Sequence, residues 1–69
     1  MQIYDFTVPE LNKFRELCNF TPQELNYFNL RARYKSNIEI SIDMNVSEAQ
    51  VSKLARKVKD KIIRVLPLI

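Results

Sequence analysis

The sequence predicts an all-α protein, a compact four-helix domain whose C-terminal part is a helix-turn-helix. Three observations lead there. A hydroxyl residue followed three positions later by Glu or Gln occurs at four sensibly spaced sites along the 69 residues. Each is a capping box, in which the hydroxyl accepts from the third backbone amide and the acid or amide side chain reaches back to the cap. Between these starts the apolar residues recur at helical spacing. Glycine is absent, which argues against phosphate-cradling loops, tight hairpins and flexible linkers. Only Ile38–Ile42 alternates with period two, and the capping box in front of it favours helix.

The first helix, predicted over 8–18, starts at Thr7-Val8-Pro9-Glu10 and presents Leu11, Phe14, Leu17 and Cys18. The second, over 22–34, starts at Thr21-Pro22-Gln23-Glu24, with Pro22 at the first helical position, where its missing donor costs nothing. Its wide stripe is Leu25, Tyr27, Phe28, Leu30 and Ala32. A short third helix, over 37–44, follows Ser36-Asn37-Ile38-Glu39 and turns Ile40 and Met44 inward. The fourth, over 48–65, follows Ser47-Glu48-Ala49-Gln50 and carries Val51, Leu54, Ala55, Val58, Ile62 and Val65 on one face. Pro67 ends it, because the residue before a proline avoids helical angles. Phe6 with Leu11, Phe20 with Leu25 and Val46 with Val51 have the spacing of hydrophobic staples.

Composition narrows the function. No run approaches the ~18 apolar residues of a membrane span, and no charged-then-apolar start suggests a signal peptide. The expectation is a soluble, cytoplasmic protein. Histidine is absent and Cys18 is the single cysteine, so neither a thiol–imidazole pair nor a Cys/His metal site can be assembled. Cys18 reads as a small buried hydrophobe. No nucleophile–base pair is suggested, and the expectation is a protein that is not an enzyme and needs no cofactor or metal. The net charge of +3 is unevenly placed. Residues 1–30 hold two basic and four acidic residues, net −2, and residues 31–69 hold nine basic and four acidic, net +5. That asymmetry suggests a side that binds a polyanion.

The link between the third and fourth helices is the informative one. From Met44, the last residue of helix three, only Asn45 and Val46 lead to the cap Ser47. A helix, a tight turn and a second helix make the geometry of a helix-turn-helix. Such a turn needs one residue with φ > 0, and Asn45 is the best available after glycine. Ser41 is small enough for close packing of the two helices. The segment SNIEISIDMNVSEAQVSKLARKVKDKI, preceded by FTPQELNYFNLRAR, resembles the C-terminal DNA-binding region of bacterial sigma-70-type factors and, almost as closely, the LuxR-type response-regulator domain. The resemblance covers about residues 20–62. It rests on Phe20, Thr21, Glu24, Tyr27, Phe28 and Leu30, then on Glu39, Ile40, Ser41, Met44, Asn45, Val46, Ser47 and Val51. Ser41 replaces the families' usual Ala and Asn45 their usual Gly, and Tyr34 stands where LuxR domains prefer Gly. A helix ahead of the shared core, with no room for another before Ile69, matches the sigma-like version.

The resemblance implies that residues 48–65 lie in the major groove of DNA. With Val51, Ala55, Val58 and Ile62 inward, rotation of 100° per residue sends Ala49, Lys53, Arg56, Asp60 and Arg64 outward. Candidate base-reading residues are therefore Glu48, Ala49, Gln50, Lys53 and Arg56. Arg or Lys suits guanine, Gln suits adenine and Glu suits cytosine. Arg31, Arg33, Lys35, Asn37, Ser47, Ser52 and Lys57, with Lys59 and Lys61, are candidate phosphate contacts, which position without specifying. Two of these residues have other uses open to them. Gln50 completes a capping box, and Glu48 complements the helix dipole. The expected partner is double-stranded DNA, with a second copy of the chain, RNA polymerase or another regulator as a protein partner. Ile38, Ile42, Ile63, Leu66, Leu68 and Ile69 are apolar and off the helix stripes. They either pack in a small core or form a protein interface.

Overall fold

The computed structural model describes residues 2–69. It is all-helical: α1 spans Val8–Leu17, α2 Pro22–Ala32, α3 Asn37–Met44 and α4 Glu48–Val65, with 3₁₀ turns at Ile3–Asp5 and Leu66–Leu68. No strand occurs among the described residues.

The helix starts follow from their caps. Thr7, Thr21, Ser36 and Ser47 hold extended backbone angles, and their hydroxyls accept from the amides of Glu10, Glu24, Glu39 and Gln50. In the first three the carboxylate completes the box, accepting from the cap amide at 2.8, 3.0 and 3.2 Å. The fourth box is one-sided. Gln50 donates its amide to Ser47 Oγ at 3.1 Å, but its side chain makes no return bond among the described residues. A good N-cap stabilises a helix by about 1 kcal/mol.

The helix ends are made without glycine. Asn19, Tyr34 and Asn45 all take left-handed angles, with φ of 53, 68 and 56°. At the end of α3, Val46 N–H bonds to Ser41 O at 3.0 Å and Asn45 N–H to Ile42 O at 3.2 Å. This pair of bonds is a Schellman cap. The end of α2 repeats it, with Lys35 N–H to Leu30 O and Tyr34 N–H to Arg31 O. α2 therefore stops at Ala32, two residues short of the expected 34, because Arg33 and Tyr34 form the reversal. Asn45→Ile is expected to destabilise the protein by about 1–2 kcal/mol, since a β-branched side chain crowds the left-handed region. In a domain of this size that lowers the melting temperature by roughly 10 °C, measurable by circular dichroism. An unchanged melt would show that the α3–α4 link tolerates another geometry.

α4 packs chiefly on α2 and α3, and more lightly on α1. Phe14, Phe28, Ile40, Val51, Val58 and Ile62 are fully buried between them. Phenylalanine rings run through this core: Phe6 meets Phe14 edge-on at 4.8 Å, Phe14 meets Phe28 at 6.4 Å, and Phe20 lies 5.0 Å from Phe28. The Arg15 guanidinium lies over Phe28 at 5.2 Å, anchored by Asn12 and Asn29. Cys18 is buried and unpaired. Leu17 and Leu25, expected in the core, are exposed. The buried face of α1 runs through Leu11, Phe14 and Cys18, and that of α2 through Glu24, Tyr27 and Phe28, which leaves both leucines at the rims.

Candidate functional site

α4 separates its residues sharply. Val51, Leu54, Val58, Ile62 and Val65 are buried, whereas Glu48, Ala49, Ser52, Lys53, Arg56, Lys57, Lys59, Asp60 and Arg64 are exposed. Ser52, Lys53, Arg56 and Lys57 line one shallow groove on the outer surface. Gln50 is half-buried beside them, and without a return bond to the cap its carboxamide is left uncommitted.

The basic residues divide by what they touch. Lys13 pairs with Glu16 and Lys35 with Glu39. Arg31, expected at a phosphate of DNA, is half-buried and tied back to its neighbours, away from the outer groove of α4. Its Nη1 donates to Lys35 O at 2.8 Å, its Nη2 to Gln2 Oε1 at 3.1 Å, and its guanidinium lies 5.6 Å over the Tyr4 ring. Lys61 leaves the phosphate set as well, because its ammonium bonds to the Glu24 carboxylate and to Asn19 O at 3.1 Å. Among the described residues Arg33, Lys53, Arg56, Lys57, Lys59 and Arg64 make no ion pair, and all but Arg33 lie on α4. Arg33 sits elsewhere, in a groove lined also by Asn26, Asp43 and Met44. Asn37 lies at the start of α3 and Ser47 at the cap of α4, both exposed.

Glu24 and Lys61 are the pair that sequence reasoning missed. Glu24 was read as a capping residue and as part of the resembling motif, not as half of an ion pair, yet it is 4% exposed and ties α2 to α4. Lys61 follows Leu54 by seven residues, which puts it beside the buried stripe; that spacing was the available signal. Burial alone would raise the Glu24 carboxyl, but the bonds from Lys61 and from the Thr21 amide outweigh it and hold the group below its ordinary 4.5. The Glu39 carboxyl is also lowered, by the Ser36 amide and hydroxyl. Both carboxyls bind protons less readily folded than unfolded. Their ionised forms therefore favour the fold at neutral pH, and that contribution disappears as pH falls through the folded values. The urea midpoint is expected to stay level from about pH 7 to about pH 5.5 and to drop below roughly pH 4.5. Glu24→Gln should flatten much of the drop, and an unaltered profile would remove Glu24 from this account.

The off-stripe apolar residues do not enter the core. Ile38 is 60% and Ile42 72% exposed, one turn apart on α3, and Ile63, Leu66, Leu68 and Ile69 are exposed at the far end of α4. Among the described residues no His, Cys, Asp and Glu side chains are grouped to hold a metal ion. No helix there is long and apolar enough to cross a membrane. No protein-family model, curated protein or solved structure matches the chain.

Proposed function

We propose that the chain binds double-stranded DNA, with α3 and α4 acting as a helix-turn-helix, and regulates transcription from the cytoplasm. One observation carries this reading. Among the described residues the cations with neither an ion pair nor a hydrogen bond, Arg33 apart, lie on α4, the helix that follows the tight Asn45 turn, and Lys53, Arg56 and Lys57 are exposed on its outer face. A solvated helix usually interleaves opposite charges, whereas Lys53, Arg56 and Lys57 have only Glu48 and Asp60 near them in sequence on this surface. In this reading Glu48, Ala49, Gln50, Lys53 and Arg56 meet base edges, and Ser47, Ser52, Lys57 and Arg33 meet phosphates. It calls for no catalytic group or cofactor. The sigma-like resemblance of residues 20–62 supports it through the motif residues alone.

Fluorescence anisotropy on random and promoter-derived duplexes tests it. The expected result is micromolar or tighter binding that weakens steeply with salt. About four phosphate contacts correspond to a slope near −3.6 on the double-logarithmic plot, or roughly a hundredfold loss between 50 and 200 mM salt. A folded chain that ignores duplexes at low salt overturns the proposal. Exposure of Ile38 and Ile42 favours a second reading, in which α3 docks on RNA polymerase or another regulator and DNA affinity is incidental.

A further inference from the structure

A cleft of about 200 Å³ opens between the first 3₁₀ turn, the end of α2, the start of α3 and the middle of α4. This is somewhat more than the roughly 150 Å³ that admits benzene in an engineered cavity. Ile3, Ala55 and Ile62 supply apolar lining, and Gln2, Tyr27, Arg31, Asn37 and Lys59 supply polar groups. No carboxylate lines it.

The polar groups are donors left over from the fold. Tyr27 is 5% exposed, and its hydroxyl bonds to none of the described residues. No side-chain oxygen or nitrogen among them is both buried and unpaired, so the Oη keeps an opening, and Tyr27 lines this cleft. Burial pushes this hydroxyl's pKa up, against the opposing effect of Arg31, so at neutral pH it carries its proton and can donate. Arg31 is fixed by Lys35 O, Gln2 Oε1 and the Tyr4 ring. Of its five N–H donors, two bond to other groups among the described residues. The Lys59 ammonium and the Asn37 carboxamide have no partner among the described residues.

We infer that this cleft binds a small organic anion, its carboxylate or phosphate head held by Arg31, Lys59 and the Tyr27 hydroxyl and its apolar body against Ile3, Ala55 and Ile62. Fixed donors facing a concave, partly apolar wall recognise an oxyanion at little ordering cost. A duplex phosphate, presented on a convex backbone, has no use for the apolar wall. The cleft borders α4 through Ala55, Lys59 and Ile62, shares no residue with the groove of Ser52, Lys53, Arg56 and Lys57, and does not depend on DNA binding.

The test is a nuclear magnetic resonance titration of the ¹⁵N-labelled full chain with phenyl phosphate and with benzoate, benzyl alcohol serving as the neutral control. Saturable amide shifts centred on Tyr27, Asn37, Ala55 and Lys59, seen with the anions and absent with the alcohol, are the expected result. Lys59→Gln should weaken binding about tenfold and Tyr27→Phe about threefold. Neither change removes a core side chain, so both variants should fold. Shifts confined to Lys53, Arg56 and Lys57, or wild-type affinity in both variants, overturn the inference. A duplex that loses affinity on Tyr27→Phe by the same factor as phenyl phosphate would assign the anion to the DNA backbone and also overturn it. Duplex binding that ignores Tyr27→Phe supports it.

Discussion

Lys61→Ala is expected to be the most damaging single change on the surface of this protein, destabilising it by about 3 kcal/mol. Glu24 is buried in the first turn of α2, and Lys61 is the charged group that faces it from α4. Removing the lysine strands an ionised carboxylate between two helices, and breaking such a pair costs roughly 3–5 kcal/mol. The low end applies because the Lys61 side chain keeps some solvent contact, 28% of its surface. A chain of this length has only about 3–10 kcal/mol of stability in all, so the variant should be partly unfolded at 37 °C. Glu24→Gln/Lys61→Met should recover most of the loss, since replacing both charges removes the stranded carboxylate as well as its partner. Thermal melts of the single and double variants decide the matter. A Lys61→Ala protein that melts with the wild type would mean that Thr21 alone satisfies Glu24.

Lys53→Ala/Arg56→Ala should do the opposite, leaving stability alone and removing the proposed duplex binding. Both side chains are exposed and make no ion pair among the described residues, so the melting temperature should move by no more than about 2 °C. If both meet bases or phosphates, each contributes about 1–3 kcal/mol, and duplex affinity should fall about a hundredfold. The salt slope should become shallower by about 1–2. Ile38→Ala/Ile42→Ala provides the contrast, because neither residue lies on α4. Retained duplex affinity there, with loss in the cation pair, favours the DNA reading. The reverse pattern favours the protein-interaction reading.

Much of the architecture was legible because this chain marks its helix ends chemically. The bounds of α3 and α4 agree with the expected 37–44 and 48–65, since Ser36, Ser47 and Asn45 act through local backbone chemistry. Pro67 does not act as expected: Leu66 before it keeps helical angles, φ −47° and ψ −45°, and the chain tightens into the Leu66–Leu68 3₁₀ turn, which accepts proline in its first turn. α2 was read too long because nothing about a tyrosine announces a left-handed reversal; Tyr34 ordinarily belongs inside a helix or strand. The 3₁₀ turns at Ile3–Asp5 and Leu66–Leu68 are too short to show a period. What the sequence concealed was long-range pairing. Arg31 and Lys61 looked like two more cations in a basic half, and only the fold shows the one held by Gln2 and Lys35 and the other by Glu24. The exposed face of α4 needed less, because rotation about a single helix already separates Lys53 and Arg56 from Val51 and Val58.

The left-handed helix ends at Asn19, Tyr34 and Asn45 also bear on the chain before it folds. Glycine at these places would relieve the crowding in the native turns. It would also enlarge the ensemble of the unfolded chain by roughly 0.4–1 kcal/mol of conformational entropy at each site. A polypeptide with no glycine at all has unusually few backbone states to give up. Its reversals are mildly disfavoured when made and rarely escaped by alternatives. Substituting glycine at Tyr34 should therefore change equilibrium stability less than the native angle alone implies, since the two effects oppose each other.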